Sequence, residues 1–600
     1  MSIKITAARG ETSIFRRLWA HLPAKRRSQF ALLFLLMFAA SLAEAISIGA
    51  VLPFLAVLTS PERVFSHPLM AGLVQYLRID EPSQLLIPIT VLFALFSVLA
   101  SGIRLLTQWA TTRISYATGA ELGIEIYRRT LYQPYEVHLR ANTSEIIDGI
   151  TDKTHTIIVG TLFPLLNGLA SLLMLGIVLC ALLTFEPLVA ILAFGGFSLI
   201  YFGIVRFTRS RLLLSSRHIA QDSAQRIRAL QEGLGGVRDL LIDGTQATYT
   251  KVYGTADRRL RKAQADISLI SSSPRLLMEA IAIVLTAGLA LFMSMQPGGI
   301  GRAIPVLGAL ALGAQRLLPV LQQAYYSWTT IKGHERSALV ALQMLDQPLP
   351  RYADEERPAP LAFRHCIGFE DVWFRYQVQG PWVLKGVTLT VPRGARVGVV
   401  GVTGKGKSTL LDILMGLLAP QKGRLTIDGV EIDDSNRRAW QAHIAHVPQS
   451  IFLTDATVSE NIALGVPREQ IDHARIRRAA EQAQIARTIE EWELGYDTVV
   501  GERGVRLSGG QRQRIGIARA LYKQADVLVF DEATSALDTE TERLVMQSIN
   551  GLDRDLTIFI IAHRMSTLSG CSRILELESG NIRSTQPEHE ESIAAISGQT

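Results

Sequence analysis

Nine residues, Gly401-Val402-Thr403-Gly404-Lys405-Gly406-Lys407-Ser408-Thr409, set three glycines ahead of a lysine and two hydroxyls. Glycines let successive backbone N–H groups close around phosphate oxygens, and a following helix adds the positive end of its dipole. In this reading Gly401, Gly404, Gly406 and Thr409 cradle the phosphates of ATP. Lys407 reaches the β- and γ-phosphates, and Ser408 ligates Mg²⁺. Lys405 fills a free position of the pattern and adds only positive field. A second group is the acidic pair Asp531-Glu532. Asp531 is expected to hold the Mg²⁺ through water, and Glu532 to orient or deprotonate an attacking water. Two acids ending a strand are otherwise merely solvated; beside a phosphate loop the chemical reading takes over.

These side chains must be delivered by strands. Val397 to Val400 is apolar and enters the glycine loop, which leads into a helix at Leu410 to Leu417; Val527 to Phe530 ends in the acids. With Thr557 to Ile561, these runs alternate with helical patterns from Ile367 onward, which predicts an α/β domain with a largely parallel sheet. The proline-rich, charged stretch 346–366 reads as a linker, 367–586 as the nucleotide-binding domain, and the acidic end 587–600 as a disordered tail.

The first part of the 600-residue chain is different. The sequence is 48% hydrophobic and only 19% charged, yet its long apolar runs all precede about residue 330. Crossing a bilayer takes about 20 apolar residues, and the runs near 30–57, 85–108, 157–183, 187–207, 276–296 and 303–329 predict a six-helix transmembrane domain over 30–345. Only Thr184, Phe185 and Glu186 separate the third from the fourth, so a tight hairpin is expected there. Net charge is +7, but Lys and Arg gather beside apolar spans, at 25–27, 113–140 and 206–262. That is membrane topology with those segments cytoplasmic, and it excludes nucleic acid as the partner. An even number of spans returns the second domain to the cytoplasm. Residues 1–29 form an amphipathic elbow through Ile14, Phe15, Leu18, Trp19 and Leu22. The inner segments 109–156 and 208–275 are expected to continue the helices inward, with tips at 139–145 and 234–239. Cys180, Cys366 and Cys571 have no metal-ligand or disulfide spacing.

Leu507-Ser508-Gly509-Gly510-Gln511 makes the chain closely resemble the ATPases of ABC transporters. The resemblance implies that Ser508, Gly510 and Gln511 clamp the nucleotide on a second subunit's Lys407, so that each ATP lies between two chains of a homodimer. It further implies that Tyr376 stacks on adenine and that Gln449 joins the metal site and links it to the membrane domain. Asp538, in Ser535-Ala536-Leu537-Asp538, would span the dimer, and His563 would touch the γ-phosphate. Val500-Gly501-Glu502-Arg503-Gly504 resembles the segment that couples the two halves of exporters. Membrane domain first and ATPase second on one chain also fits exporters, here in a bacterial inner membrane.

Among exporters the membrane half resembles the lipid-linked oligosaccharide flippases. The likeness rests on residues 232–239, on Pro274-Arg275 with Glu279, and on an expected short external helix near 67–78. It implies a polyprenyl-diphosphate glycan as substrate, engaged by Arg104, Arg275 and Arg316. Arg316 follows Arg302 by 14 positions, about 20 Å into the span. Arg104 and Arg275 lie near helix ends, where snorkelling explains them equally well. A multidrug or lipid A type exporter shares the architecture and would favour an apolar cavity. A regulatory ABC protein would show a damaged Glu532, His563 or signature, and all three are intact.

Overall fold

The computed structural model describes residues 14–50, 54, 57, 62, 65, 81–185, 187–294, 299–356, 358–402, 404–533, 537–551, 555–561, 568 and 570–585. The expected external helix at 67–78, the tail and His563 lie outside them. The chain divides into two compact units, one of Met1–Gln133 with Val137–Pro350 and one of Pro134–Glu136 with Arg351–Thr600.

In the first unit a short helix α1 (Ile14–His21) precedes α2 (Ala24–Gly49), followed by the long helices α3 (Leu86–Leu131), α4 (Phe163–Phe185), α5 (Pro187–Gly235), α6 (Gln246–Ser294) and α7 (Gly299–Leu345). A helix of 49 residues such as α5 is about 74 Å long, far more than a bilayer core, so α3, α5 and α6 continue as helices beyond the apolar spans. The hairpin is as tight as expected: α4 ends at Phe185 and α5 begins at Pro187. Leu32, Val98, Leu105, Leu199 and Ile283 are each at least two-thirds exposed, which suits contact with hydrocarbon and not with water. Inside, Leu18 and Leu22 bury with Leu33, Met37, Ile126, Leu342 and Leu345, so the elbow is pinned as well as amphipathic. Asp346 fixes it further by bonding Arg17 and, at 2.7 Å, His21 Nε2.

The approach to α4 is not regular. Between the helix Thr143–Asp148, capped by the Asn142 side chain, and α4 lie two π-helical turns, Gly149–Lys153 and Ile158–Leu162. A π turn aligns residues five apart. It brings Lys153 Nζ to 2.8 Å from Asp148 Oδ2, with both side chains almost fully buried. Lys153 Nζ also donates to the Ala220 carbonyl of α5, and Ser223 Oγ to Asp148.

Among the described residues the second unit holds ten strands: β1 (Cys366–Phe374), β2 (Leu384–Pro392), β3 (Arg396–Val400), β4 (Lys422–Ile427), β5 (Val430–Glu431), β6 (Ile444–Val447), β7 (Val527–Asp531), β8 (Thr557–Ile561), β9 (Arg573–Glu578) and β10 (Asn581–Thr585). The parallel sheet has the order β10-β9-β3-β8-β7-β6, with only β10 antiparallel. β3, β8 and β7 run side by side through its middle, buried on both faces as their unbroken apolar sequences require. A second, four-stranded antiparallel sheet, β2-β1-β4-β5, was not foreseen in the largely parallel reading. Its inner face packs Ile367, Phe369, Val372, Leu389 and Val391 against Val397, Val399 and the apolar side of α8 (Lys407–Leu414).

Candidate nucleotide site

β3 and α8 position the glycine loop from its two ends. Gly401 has φ +143°, and a Cβ there would lie 2.5 Å from the Leu577 carbonyl oxygen, so the close backbone approach of β9 admits only glycine. Gly406 takes the left-handed conformation at the N-cap of α8, where a Cβ would also press on Val383 at 2.9 Å. The far end of α8 is anchored by the fully buried Trp440, whose Nε1 donates to the Leu414 carbonyl at 2.7 Å. A loop held at both ends presents its N–H groups without reorganisation. Lys407 is buried, and its Nζ donates to the Gly401 carbonyl at 2.6 Å, curling over the loop it serves.

Ser408, next on α8, hydrogen-bonds Asp531 at the end of β7. Burial pushes the Asp531 carboxyl up, the neighbouring Glu532 charge pushes it further, and Ser408 and Lys407 oppose both. Such a crowded, half-buried anionic group favours a cation. No group of three or more His, Cys, Asp or Glu side chains among the described residues is arranged to hold a metal ion. Ser408 and Asp531 nevertheless fit Mg²⁺, which keeps several waters and takes phosphate oxygens beside one or two protein ligands. Immediately after β7 the chain turns sharply: Glu532 has φ +51°, and its N–H donates to the Ile561 carbonyl at 3.1 Å. Gln449 Nε2 donates to Glu532 Oε2 at 2.6 Å. Two sequence-predicted residues more than eighty positions apart are thereby joined.

The loop bearing Gln449 is tied in turn to α9 (Gly509–Lys523). Arg519 donates from Nε to the Asn461 carbonyl at 2.8 Å and from Nη1 to the Phe452 carbonyl at 2.9 Å. Ser508 is the N-cap of α9. Its Oγ accepts from Gln511 N–H at 3.2 Å, while Gln511 Oε1 accepts from Ser508 N–H at 2.9 Å. This reciprocal capping box occupies the Gln511 side chain locally and uses Ser508 Oγ as an acceptor only, so its O–H can still donate. Ser508 is exposed, and Gly510 lies in the first helical turn, where N–H groups have no intrahelical acceptor.

Tyr376 is a third or more exposed, with its hydroxyl 2.9 Å from Thr409 Oγ1 and its ring edge-on to Phe374. Thr409 therefore positions the tyrosine. Asp538 caps α10 (Thr539–Asn550) through Thr541 N–H at 3.0 Å, a local role the sequence reading did not assign. Asp412 was also missed. It lies one turn after Ser408, and burial, then the Asp531 charge, pushes its carboxyl up to about 6. Its signal was a lone acid inside the apolar run Leu410 to Leu418.

Of the three arginines assigned to a substrate, Arg275 Nε is bonded to Glu279 Oε1 at 2.7 Å on its own helix. Arg104 is exposed on α3. The Arg316 side chain lies outside the described residues of α7.

The ABC transporter family profile matches residues 384–535, which hold the glycine loop, the signature and the acidic pair. The ABC transporter transmembrane region matches 30–297. An ATP-dependent lipid A-core flippase of Chromohalobacter salexigens is 36% identical over 386 residues, 63% of this chain and 65% of that protein. The chain thus matches just under two thirds of that relative's length. A beta-(1→2)glucan export ATP-binding/permease protein of Rhizobium etli is 32% identical over 511 residues, 82% of this chain and 84% of its own. Among solved structures, a bacterial Atm1-family ABC exporter with ATP bound covers 96% of both chains at a TM-score of 0.75 and 25% identity. The strand-loop-helix carrying Lys407, the acids on β7 and the helix opened by Ser508 therefore sit in a chain that belongs to the ABC transporters, as a half-transporter joining a membrane domain to an ATPase.

Proposed function

We propose that two copies of this chain form an exporter that uses ATP to flip a lipid with a phosphate-bearing saccharide headgroup out of the cytoplasmic leaflet. The observation that carries the dimer is the start of α9. Ser508 is exposed and Gly509 and Gly510 beside it are half-buried; the capping box uses the N–H groups of Ser508 and Gln511, and neither Ser508 nor the first turn is bonded to the glycine loop of its own chain among the described residues. A helix N-terminus with a donating hydroxyl suits a γ-phosphate, and the glycine loop of a second copy offers one.

Within each site Lys407 steadies the β- and γ-phosphates, and Glu532 orients the attacking water and takes its proton. Gln449 holds Glu532 and connects it, through the Arg519-anchored loop, to the signature helix. Ser408 and Asp531 would hold a Mg²⁺, which when bound would supply charge neutralisation at the transferring phosphate. Tyr376 stacks on the base, His563 contacts the γ-phosphate and Asp538 lies at the subunit boundary. The tips at 139–145 and 234–239 pass the motion to the membrane helices. The basic inner segments support a cytoplasmic ATPase.

Two observations point to the substrate. Several relatives are named lipid A-core flippases, and the membrane half resembles flippases of polyprenyl-diphosphate glycans. Both cargoes carry phosphate and sugar on a lipid. Guanidinium forks match phosphate oxygens bidentately, which keeps Arg316, Arg275 and Arg104 as the contacts, with Glu279 holding Arg275 until cargo arrives.

The test is transport in proteoliposomes offered labelled lipid A-core, a polyprenyl-diphosphate glycan, a zwitterionic phospholipid and a neutral drug. Flipping of either phosphorylated glycolipid, lost in Arg316→Ala with basal ATPase retained, is expected. Transport of the neutral drug alone, or normal flipping by Arg316→Ala, overturns the substrate reading and leaves the ABC assignment standing.

A further inference from the structure

Between α2 and α3, where both helices turn basic, lies a cavity of about 550 Å³. Arg26, Gln29 and Arg113 form its rim, and Leu32, Leu36 and Trp109 its wall. The sequence alone brings these together. On α2, Arg26, Gln29 and Leu36 are separated by three and then seven residues, so they share a helix face; on α3, Trp109 and Arg113 are one turn apart. The wall extends about 15 Å from the rim, ten residues of helix from Arg26 to Leu36. One end is cationic and the other apolar, in a membrane domain.

Charge on the rim is unequal. Arg26 is held by Glu121, with Nε at 3.0 Å and Nη2 at 2.7 Å from its two oxygens, and Nη1 donates to Gln29 Oε1 at 2.7 Å. That pair is neutral and rigid. Arg113 is exposed and has no ion pair or hydrogen bond among the described residues, and Lys25, exposed beside it in sequence to Arg26, acts on the same Glu121. Lys25, Arg26 and Arg113 against Glu121 leave a formal excess of two positive charges. Trp109 is 60% exposed and Leu32 68%, so this chain leaves the wall uncovered, and an indole beside basic residues suits the membrane interface where such rings anchor.

We infer that this groove binds one anionic phospholipid of the surrounding leaflet. Its phosphate lies on Arg113 with Lys25 assisting, and an acyl chain runs along Leu32, Leu36 and Trp109. An anionic headgroup balances the excess positive charge where a zwitterionic one leaves it, and the chain covers apolar surface that the protein leaves open. The bound lipid would brace α2, and the elbow pinned to it, against α3. The site shares no residue with Arg104, Arg275 and Arg316, so it is a resident-lipid site distinct from the path of cargo.

The experiment uses the full chain in nanodiscs of phosphatidylcholine with and without phosphatidylglycerol, followed by native mass spectrometry of the released protein. The expected result is one phosphatidylglycerol per chain retained in preference to phosphatidylcholine. Arg113→Gln should weaken retention about fivefold, from the ~1 kcal/mol that a basic side chain contributes near anionic lipid. Arg113→Lys should keep most of it. Leu36→Trp, which fills the wall and leaves the charges alone, should lower retention as well. Free glycerol phosphate should not compete; if it displaces the lipid at equal concentration, the apolar wall is not part of the site and the lipid assignment falls. Equal retention of both lipids, or undiminished phosphatidylglycerol on Arg113→Gln, also overturns it. Flipping and basal ATPase of Arg113→Gln in pure phosphatidylcholine should match the unsubstituted protein, which separates this site from the transport reading.

Discussion

Replacing Glu532 by Gln tests the catalytic assignment most directly, because the geometry separates what the change should spare from what it should remove. Glu532 Oε2 accepts from Gln449 Nε2 at 2.6 Å. In Glu532→Gln the new amide oxygen can accept the same bond, which weakens from charge-assisted to neutral at a cost of about 1 kcal/mol. The backbone turn at φ +51° is no harder for Gln than for Glu. Folding and ATP affinity should therefore move little. The basic oxygen is lost altogether, and positioned bases contribute roughly 10²- to 10⁴-fold, or about 3–5 kcal/mol of barrier. We expect equilibrium binding of a fluorescent ATP analogue within a few-fold of the unsubstituted chain and single-turnover phosphate release slower by at least about a hundredfold. Gln449→Ala, which removes the partner and keeps the base, should slow release much less. Release by Glu532→Gln near the unsubstituted rate, or binding lost in step with turnover, would refute the reasoning.

Mixed dimers test the shared site: Lys407→Ala and Ser508→Arg chains, each inactive alone, should recover ATPase activity on mixing, since one composite site then carries neither change, and failure to complement counts against it. For Asp412, a carboxyl raised from 3.8 to about 6 in the fold leaves stability untouched below its unfolded value. Above that value it destabilises increasingly, and the penalty is complete once pH passes about 6. Asp412→Asn should then raise thermal stability in EDTA above pH 6, by about 1 kcal/mol after solvent screening; an equal gain near pH 4 would contradict this. Lys153→Met strands a buried Asp148 and should cost about 3–5 kcal/mol, seen as a lower temperature for loss of monodisperse protein, while the pair Lys153→Met with Asp148→Leu should recover most of it. A single variant as stable as the unsubstituted chain, or a double variant no better than the single, would speak against the pair.

The chemistry of the site was legible because it is carried by contiguous residues. Gly401 to Thr409 and Asp531-Glu532 each follow a strand whose apolar run is unmistakable, and the parallel register of β3, β8 and β7 places them together. The helices were legible for a similar reason, since apolar length alone marks them. The antiparallel sheet was less so. β1 pairs with β2 and β4 through register shifts near Val372, and bulges of that kind break the alternation by which a half-buried strand is recognised. Ser508 and Gln511 have capping-box spacing, and the same two residues belong to the signature motif, so one stretch of sequence carries both signals. Asp412 could not be read because its meaning depends on a neighbour, Asp531, on a strand far along the chain.

The two π turns ahead of α4 have a further consequence for how length and rotation are related along that segment. Each π turn carries roughly one residue more than the α-helix would need for the same turn. Converting one of them to α geometry would rotate everything beyond it by about 100° around the axis, the angle of a single residue. In the first turn, Gly149–Lys153, such a twist would carry Lys153 away from Asp148 and from the Ala220 carbonyl, so the buried pair acts as a latch on angular register there. A one-residue deletion between Gly149 and Leu162 can be absorbed by one π turn while the other keeps its hydrogen-bonding pattern. A one-residue deletion in the regular helix of α4 has no such slack and must rotate every lipid-facing side chain beyond it onto a different face.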